Sequence, residues 1–296
     1  MNRIYLGVDI GGTVIKYGMV SSEGRILKSW KKEKNIKDLP NIVKNITNEY
    51  KIEGIGVGIA GLVNREGEIQ DSPNIKELKG RSIKDFLPQT NIPITTGNDA
   101  TVFTTGEWMF GIGKGFKNVV GLTLGAGIGG GIVAENSVIE GADNYAGEVG
   151  HTIINPEGPQ CRCGRKGCLE SFIGGYYLTE RAKLLYKKRG KEYKNLTPEI
   201  LYKKAKNNDQ IAIRIFDEFS FYLSIGLSNI ISIFDPDIIV LGGGLTYGSE
   251  IFFNRTMDYL KKITFGKRKT KVKITPVRDL AGLRGAVAYF LYKSKR

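Results

Sequence analysis

The chain has 296 residues, 41% hydrophobic and 25% charged, with 39 glycines, three cysteines and a formal net charge of +14. That length can bury a large core and exceeds most single domains, so two lobes are expected. No run of 18 or more apolar residues occurs, and the opening MNRIYLGVDIGGT lacks the charged-then-apolar layout of a secretion signal, so the sequence reads as cytoplasmic with no membrane partner. An odd cysteine count in a reducing compartment argues against a disulfide framework and for metal binding. The positive charge raises nucleic acid as a partner. The lysines, however, are dispersed over 28–37, 181–194, 201–206 and 261–273, on amphipathic or turn-like segments, and read as solvated faces with no specific nucleic-acid partner. The glycine excess predicts loops that approach something closely.

In chain order, β-rich runs at Ile4 to Asp9 and Val14 to Val20 flank Gly11 and Gly12, a hairpin unlike the loops in which glycines open a helix. A turn at Ser22 to Gly24 leads into another strand. Helical spacing at Asn41 to Tyr50 precedes IEGIGVGIAG (52–61), a buried strand ending in a glycine turn. IPITTGNDA (92–100) predicts a strand that delivers Asn98 and Asp99 into a helix from Ala100 to Trp108. NVVGLTLGAGIGGGIVAENSVI (118–139) repeats the plan of the first hairpin. Helices are expected at 174–189, 197–206 and 209–233; the last is apolar nearly all round and reads as a core helix that could also serve an interface. PDIIVLGGGLT (236–246) is an apolar strand running into three glycines, VKITPV a final strand and AGLRGAVAYFLYKSK a C-terminal helix. The repeated hairpins predict an α/β fold of two similar lobes with a cleft between them, where ligands of such folds sit. The lobes are placed at 1–115, completed by the C-terminal helix 280–296, and at 116–279.

The segment GHTIINPEGPQCRCGRKGCLE (150–170) holds Cys161, Cys163, Cys168 and the one histidine, His151. One imidazole and three thiolates suit a tetrahedral zinc with no open position, which makes the site structural. Gly158, Gly164 and Gly167 let the backbone fold tightly round the ion. Four acids stand out: Asp9 before GGT, Asp99 after Asn98, Glu148 before His151, and Glu170 after Cys168. Ionised carboxylates accept strong hydrogen bonds from hydroxyls, as a polyol supplies. The corners DIGGT (9–13), LGAGIGGG (124–131) and LGGGLT (241–246) offer unobstructed backbone N–H groups. Beside acids able to hold Mg²⁺ through water, they imply a nucleotide polyphosphate. The candidate phosphate contacts are Asp9, Gly11, Gly12, Thr13, Lys16, Gly125, Gly127, Gly129, Gly243 and Gly244.

Together, DIGGT, the GxGIGGG hairpin, AGEVGH (146–151), CxCGxxGCxE (161–170) and IIVLGGG (238–244) resemble the ROK family of sugar kinases and repressors, part of the actin, hexokinase and heat-shock ATPase superfamily. The likeness runs from residue 7 to about residue 289. It implies two actin-like (ribonuclease H-like) lobes and ATP-dependent phosphorylation of a hexose, glucose first and at O6, with N-acetylmannosamine, N-acetylglucosamine, fructose, mannose and allose as the other sugars. It makes Asp99 the general base, while ATP with Mg²⁺ is held in line by the glycine corners. It also makes Gly61, Asn98, Asp99, Glu148, His151 and Glu170 sugar-binding residues. One ring nitrogen of His151 then ligates zinc and the other meets the sugar. A homodimer or homotetramer is implied as well. A repressor of this family carries a helix-turn-helix before the first hairpin, and DIGGT at residue 9 leaves no room for one here. A catalytically poor sugar-binding protein is the other alternative, raised by Ala126 where a threonine is usual. GIAGLVN also lacks the proline that many members have before its second glycine, and Gly174 stands where a serine is common.

Overall fold

The computed structural model describes residues 3–72, 75–87 and 90–295. The opening hairpin forms as expected: β1 (Ile4–Ile10) pairs antiparallel with β2 (Val14–Ser21), placing Asp9 opposite Lys16, and β3 (Ile26–Glu33) adds to the far side of β2. Helix α1 (Leu39–Glu49) starts with Pro40 in its first turn, where a missing N–H breaks no helical bond, and buries Leu39, Ile42, Val43 and Ile46. The fully buried β4 (Ile55–Ile59) runs parallel to β1. Three short strands, β5 (Leu62–Val63), β6 (Glu68–Asp71) and β7 (Arg81–Ser82), make a small antiparallel sheet. Then β8 (Ile94–Asn98) lies parallel to β4 and hands the chain to α2 (Asp99–Phe110). The first large sheet therefore has the order β3-β2-β1-β4-β8.

The plan repeats. A hairpin of β9 (Val119–Leu124) and β10 (Ile128–Ala134) is followed by β11 (Ser137–Val138). Four helices come next: α3 (Leu169–Ile173), α4 (Gly175–Lys187), α5 (Pro198–Lys206) and α6 (Gln210–Phe234). The chain ends with β12 (Ile238–Gly242), α7 (Ser249–Ile263), β13 (Lys271–Ile274) and α8 (Ala281–Lys293). The second sheet, β11-β10-β9-β12-β13, matches the first position by position, and β12 and β13 are parallel like β4 and β8. The α/β class and its internal repeat are thus as the two glycine-cornered hairpins foretold. The chain divides into two compact units, Met1–Gly121 with Gly131–Gly147 and Thr275–Arg296, and Leu122–Gly130 with Glu148–Ile274. Among the described residues, no helix is long and apolar enough to cross a membrane.

In the first unit, glycine serves packing as much as loops. Gly7, Gly56 and Gly97, on β1, β4 and β8, lie under α8, where an added Cβ would run into Leu283, Ala286 or Tyr289, and at Gly18 of β2 it would meet the Lys28 carbonyl of β3 first and the Leu283 side chain next. Gly106 of α2 and Gly285 of α8 meet backbone to backbone. The glycine excess that the composition assigns to ligand-facing loops is in part the means by which one helix lies flat on a sheet.

Two other expectations need correction. Helix α6 is amphipathic rather than buried all round: Ile211, Ile215, Phe219, Leu223, Leu227 and Ile230 face inward, while Ile233 is 69% exposed. Helix α7 falls where no helix was expected. It buries Phe252, Thr256 and Leu260, a stripe at i, i+4 and i+8 whose helical spacing the sequence carries and the sequence reading passed over.

Candidate active site

In the first unit, the candidate residues gather at the carboxyl ends of parallel strands. Asp9 lies next to the end of β1, Gly61 lies two residues past β4, and Asn98 ends β8. Open α/β sheets bind ligands at this edge, because side chains and helix N-termini converge there without a neighbouring strand in the way. Asn98 has three jobs. Its Oδ1 caps α2 by accepting from Ala100 N at 2.9 Å and Thr101 N at 3.1 Å, and its Nδ2 donates to the Gly61 carbonyl at 3.0 Å. Asp99 is the first residue of the helix so capped, and its Oδ1 accepts from Ala100 N at 2.9 Å. The Gly61 turn leaves no room for a side chain, since a Cβ would meet the Asp71 carbonyl and Ser72. Ser72 Oγ donates to the Ala60 carbonyl at 2.8 Å, which fixes the turn from the other side.

On the phosphate-type corner, Gly11 N donates to the Val14 carbonyl at 3.1 Å, and Gly12 and Thr13 are exposed. Burial raises the Asp9 carboxyl above its ordinary value; the Lys16 cation opposes this and Asp279 reinforces it. Lys16 donates to the Asp279 carbonyl at 3.1 Å and lies 3.6 Å from its carboxylate, and Gly282 packs directly on the Asp9 carboxylate. Asp279 and Gly282 escaped the sequence reading, which took Gly282 only as part of a C-terminal helix and gave Asp279 no role.

In the second unit, the segment after Glu148 folds round four ligand atoms. Those of His151, Cys161, Cys163 and Cys168 all lie within 4.8 Å of one another. Cys163 Sγ is 3.6 Å from Cys168 Sγ, and Cys161 Sγ is 3.9 Å from His151 Nδ1. A tetrahedron with metal–sulfur bonds of about 2.3 Å has edges of about 3.8 Å, so the donor set fits a zinc-sized ion. Backbone bonds set this geometry: Cys161 N to Arg165 O at 2.7 Å, Gly164 N to Cys161 O at 3.1 Å and Gly167 N to Pro159 O at 2.9 Å. Gly164 and Gly167 adopt φ of 89° and 74°, the left-handed region that favours glycine. Without a metal, burial works against ionising the Cys163 thiol, but hydrogen bonds from Arg165, Cys161 and Cys168 outweigh it and bring the pKa to about 6. Burial, together with hydrogen bonds to and charge on Cys163 and Cys161, pushes Cys168 up to about 12. One thiolate is thus ready, and the others would surrender their protons to a bound cation.

His151 turns Nδ1 toward the thiols and Nε2 toward Glu148, whose Oε2 is 3.9 Å away. Arg165 holds the ring's backbone by donating to the His151 carbonyl at 3.0 Å. Burial raises the Glu148 carboxyl, with His151 opposing and Glu170 adding to the shift. Glu170 Oε2 accepts from Ile128 N at 2.8 Å and Oε1 lies 3.9 Å from Cys161 Sγ, so this acid ties the metal segment to the β9–β10 corner. At that corner Gly125 N donates to the Gly127 carbonyl at 3.0 Å, while Gly129 sits inside β10 rather than in the turn. Gly175 N and Tyr176 N, opening α4, donate to the Gly125 and Ala126 carbonyls at 2.9 and 3.2 Å. A Cβ at Gly174 would stand 2.9 Å from the Glu170 carbonyl and 3.0 Å from that of Ala126, which gives the departure from serine a steric reason. Gly243, with φ of 88°, rests on the Leu124 backbone, and no atom lies within 4 Å of where a Gly244 side chain would begin. Such bare backbone is what a phosphate chain requires.

A family model described as the ROK family matches residues 5–293. A glucokinase of Thermotoga maritima is 32% identical over 306 residues, covering 96% of each chain. A glucokinase of Streptomyces coelicolor is 33% identical over 303 residues, covering 95% of each. Among solved structures, a ROK family glucokinase from Streptomyces griseus in complex with glucose and AMPPNP superimposes with a TM-score of 0.87 at 28% identity, over 98% of this chain and 99% of that one.

Proposed function

The chain belongs to the ROK family as an ATP-dependent hexose kinase, and from that premise we propose that it phosphorylates glucose at O6 with Asp99 as the general base. The observation that carries the reading is the placement of Asp99 as the first residue of α2, next to a cap that also grips the Gly61 turn. A carboxylate so anchored approaches a hydroxyl with little freedom left to lose. Glucose is favoured by the aligned glucokinases, and the bound glucose of the Streptomyces griseus enzyme supports a sugar in the corresponding place.

In this reading Glu148, His151 Nε2 and the Gly61 turn take hydroxyls of the ring, and Asn98 holds that turn in place. Asp99 accepts the O6 proton as O6 attacks the terminal phosphorus of ATP, whose bond to the bridging oxygen breaks to release ADP. The amides at Gly12, Gly127, Gly243 and Gly244 cradle the phosphate chain, with Thr13, Lys16 and Asp9 beside it, while Gly11 and Gly125 shape their corners by donating to the Val14 and Gly127 carbonyls. Backbone donors at the second corner make the Ala126 methyl compatible with turnover. Mg²⁺, when bound with ATP, neutralises charge on the transferred group. Zn²⁺ on His151, Cys161, Cys163 and Cys168 would stiffen the segment that carries Glu148 and His151.

The test is ADP release with ATP and Mg²⁺ across glucose, mannose, fructose, allose, N-acetylglucosamine and N-acetylmannosamine, on the wild type and Asp99→Asn. Glucose should give the highest kcat/KM, and the variant should lose about 10²- to 10⁴-fold in kcat while retaining glucose binding. A variant with wild-type turnover removes Asp99 as base; a different preferred sugar removes glucose.

A further inference from the structure

Helices α2 and α8 share a buried ion pair that none of the motifs above includes. Glu107 is 1% exposed and Arg284 is 9% exposed. Arg284 Nη2 donates to Glu107 Oε1 at 2.6 Å, and Thr275 Oγ1 donates to the same oxygen at 2.9 Å. Glu107 Oε2 accepts from Ile112 N at 3.2 Å. Gly111, just past the end of α2, makes room for the pair, because a Cβ there would collide with the carboxylate and the guanidinium. The arrangement is costly: Arg284 Nε is buried with no hydrogen-bond partner among the described residues. Apolar residues of similar volume commonly replace such a pair with no loss of stability. A stabilising role alone therefore accounts poorly for its presence.

Its position is more informative. Glu107 lies eight residues, about two turns or ~12 Å, along α2 from Asp99. Arg284 lies two residues from Gly282, which packs on the Asp9 carboxylate. Beside the pair, the helices cross at Gly106 and Gly285, where the two backbones come together. Val102 with Ala286 and Tyr289, and the Trp108 and Tyr292 rings, also pack between the helices; to this non-directional packing the short, charge-assisted bond adds a directional constraint. On the strand side, Ile10 pairs with Ile59 and Ile59 with Asn98, so the two acids sit at the same sheet edge two strands apart, about 10 Å laterally.

We propose that Glu107 and Arg284 are positioning residues that set the register of α2 on α8, and so fix the proton acceptor Asp99 relative to the phosphate-side acid Asp9. The proposal rests on the reading of Asp99 as base. A shift of about 1 Å at a reacting group costs on the order of 100-fold in rate, whereas binding contacts tolerate more.

The experiment pairs Glu107→Leu/Arg284→Met with Arg284→Lys, which keeps a charge near Glu107. The double variant should be folded by circular dichroism, with glucose KM within about threefold of wild type and kcat reduced about 10- to 100-fold. Arg284→Lys should recover most of the lost kcat. Wild-type kcat in the folded double variant overturns the proposal, as does a kcat that falls only in step with the folded fraction. If the double variant does not fold, Glu107→Gln, which keeps the shape but not the charge of the acid, takes its place: a selective loss in kcat of about three- to tenfold supports the proposal, and unchanged kinetics refute it. Failure of the underlying reading is separately visible, because Asp99→Asn in the wild-type background would then keep its turnover.

Discussion

Asn98 offers the sharpest test of how the site is built, because one side chain makes separable bonds. Asn98→Ala removes both the cap on α2 and the grip on the Gly61 turn; Asn98→Ser keeps a capping oxygen but is too short to reach the Gly61 carbonyl. Losing an Asn cap costs about 1 kcal/mol. Losing a neutral hydrogen bond between an amide and a carbonyl costs about 1 kcal/mol more. The alanine variant should thus be less stable by about 2 kcal/mol and the serine variant by about half of that, or roughly 4–8 °C and 2–4 °C in melting temperature. Thermal denaturation followed by circular dichroism reads the first quantity, and glucose kinase assays read the second. Asn98→Ser should raise glucose KM through the loosened turn with a small change in kcat. Asn98→Ala should also lower kcat, because the first turn that carries Asp99 frays. Indistinguishable melting temperatures and kinetics for the two variants would refute the division of labour.

Zinc should copurify in stoichiometric amount and be lost in Cys168→Ala. Its removal by a chelator should lower the melting temperature and raise glucose KM ahead of ATP KM; a chelated enzyme with unchanged glucose KM argues against the bracing role. The Asp9 carboxyl is raised by burial, so its protonated form favours the folded state; that contribution is fully present below the ordinary carboxylate pKa and is lost as pH rises through the raised value. Asp9→Asn should therefore be at least as stable as wild type at pH 7, with the difference shrinking to nothing near pH 4, while its turnover falls. Denaturant titrations at both pH values read the sign, and an Asn variant less stable at pH 7 refutes the assignment.

What the sequence determined by itself lies in stretches whose chemistry is local. Glycine at a strand end can only be a corner, so β1–β2 and β9–β10 were legible, and with them the repeat that sets the order of both large sheets. His151, Cys161, Cys163 and Cys168 span 18 residues, short enough for backbone turns alone to bring their ligand atoms together. Asn98 and Asp99 were legible because a strand running into a helix places its junction at the sheet edge. The tertiary structure decided the rest. The strands of the small sheet are two to four residues long, too short for any alternation to register, and only pairing with one another defines them. Glycines 7, 56 and 97 sit inside strands the sequence predicts, but why glycine stands there shows only when α8, nearly two hundred positions after the last of them, comes to rest on them. Glu107 and Arg284 stand 177 residues apart, each unremarkable in its own helix. Their partnership exists only where the chain returns on itself, and burial turns two ordinary surface-type residues into a fixed joint.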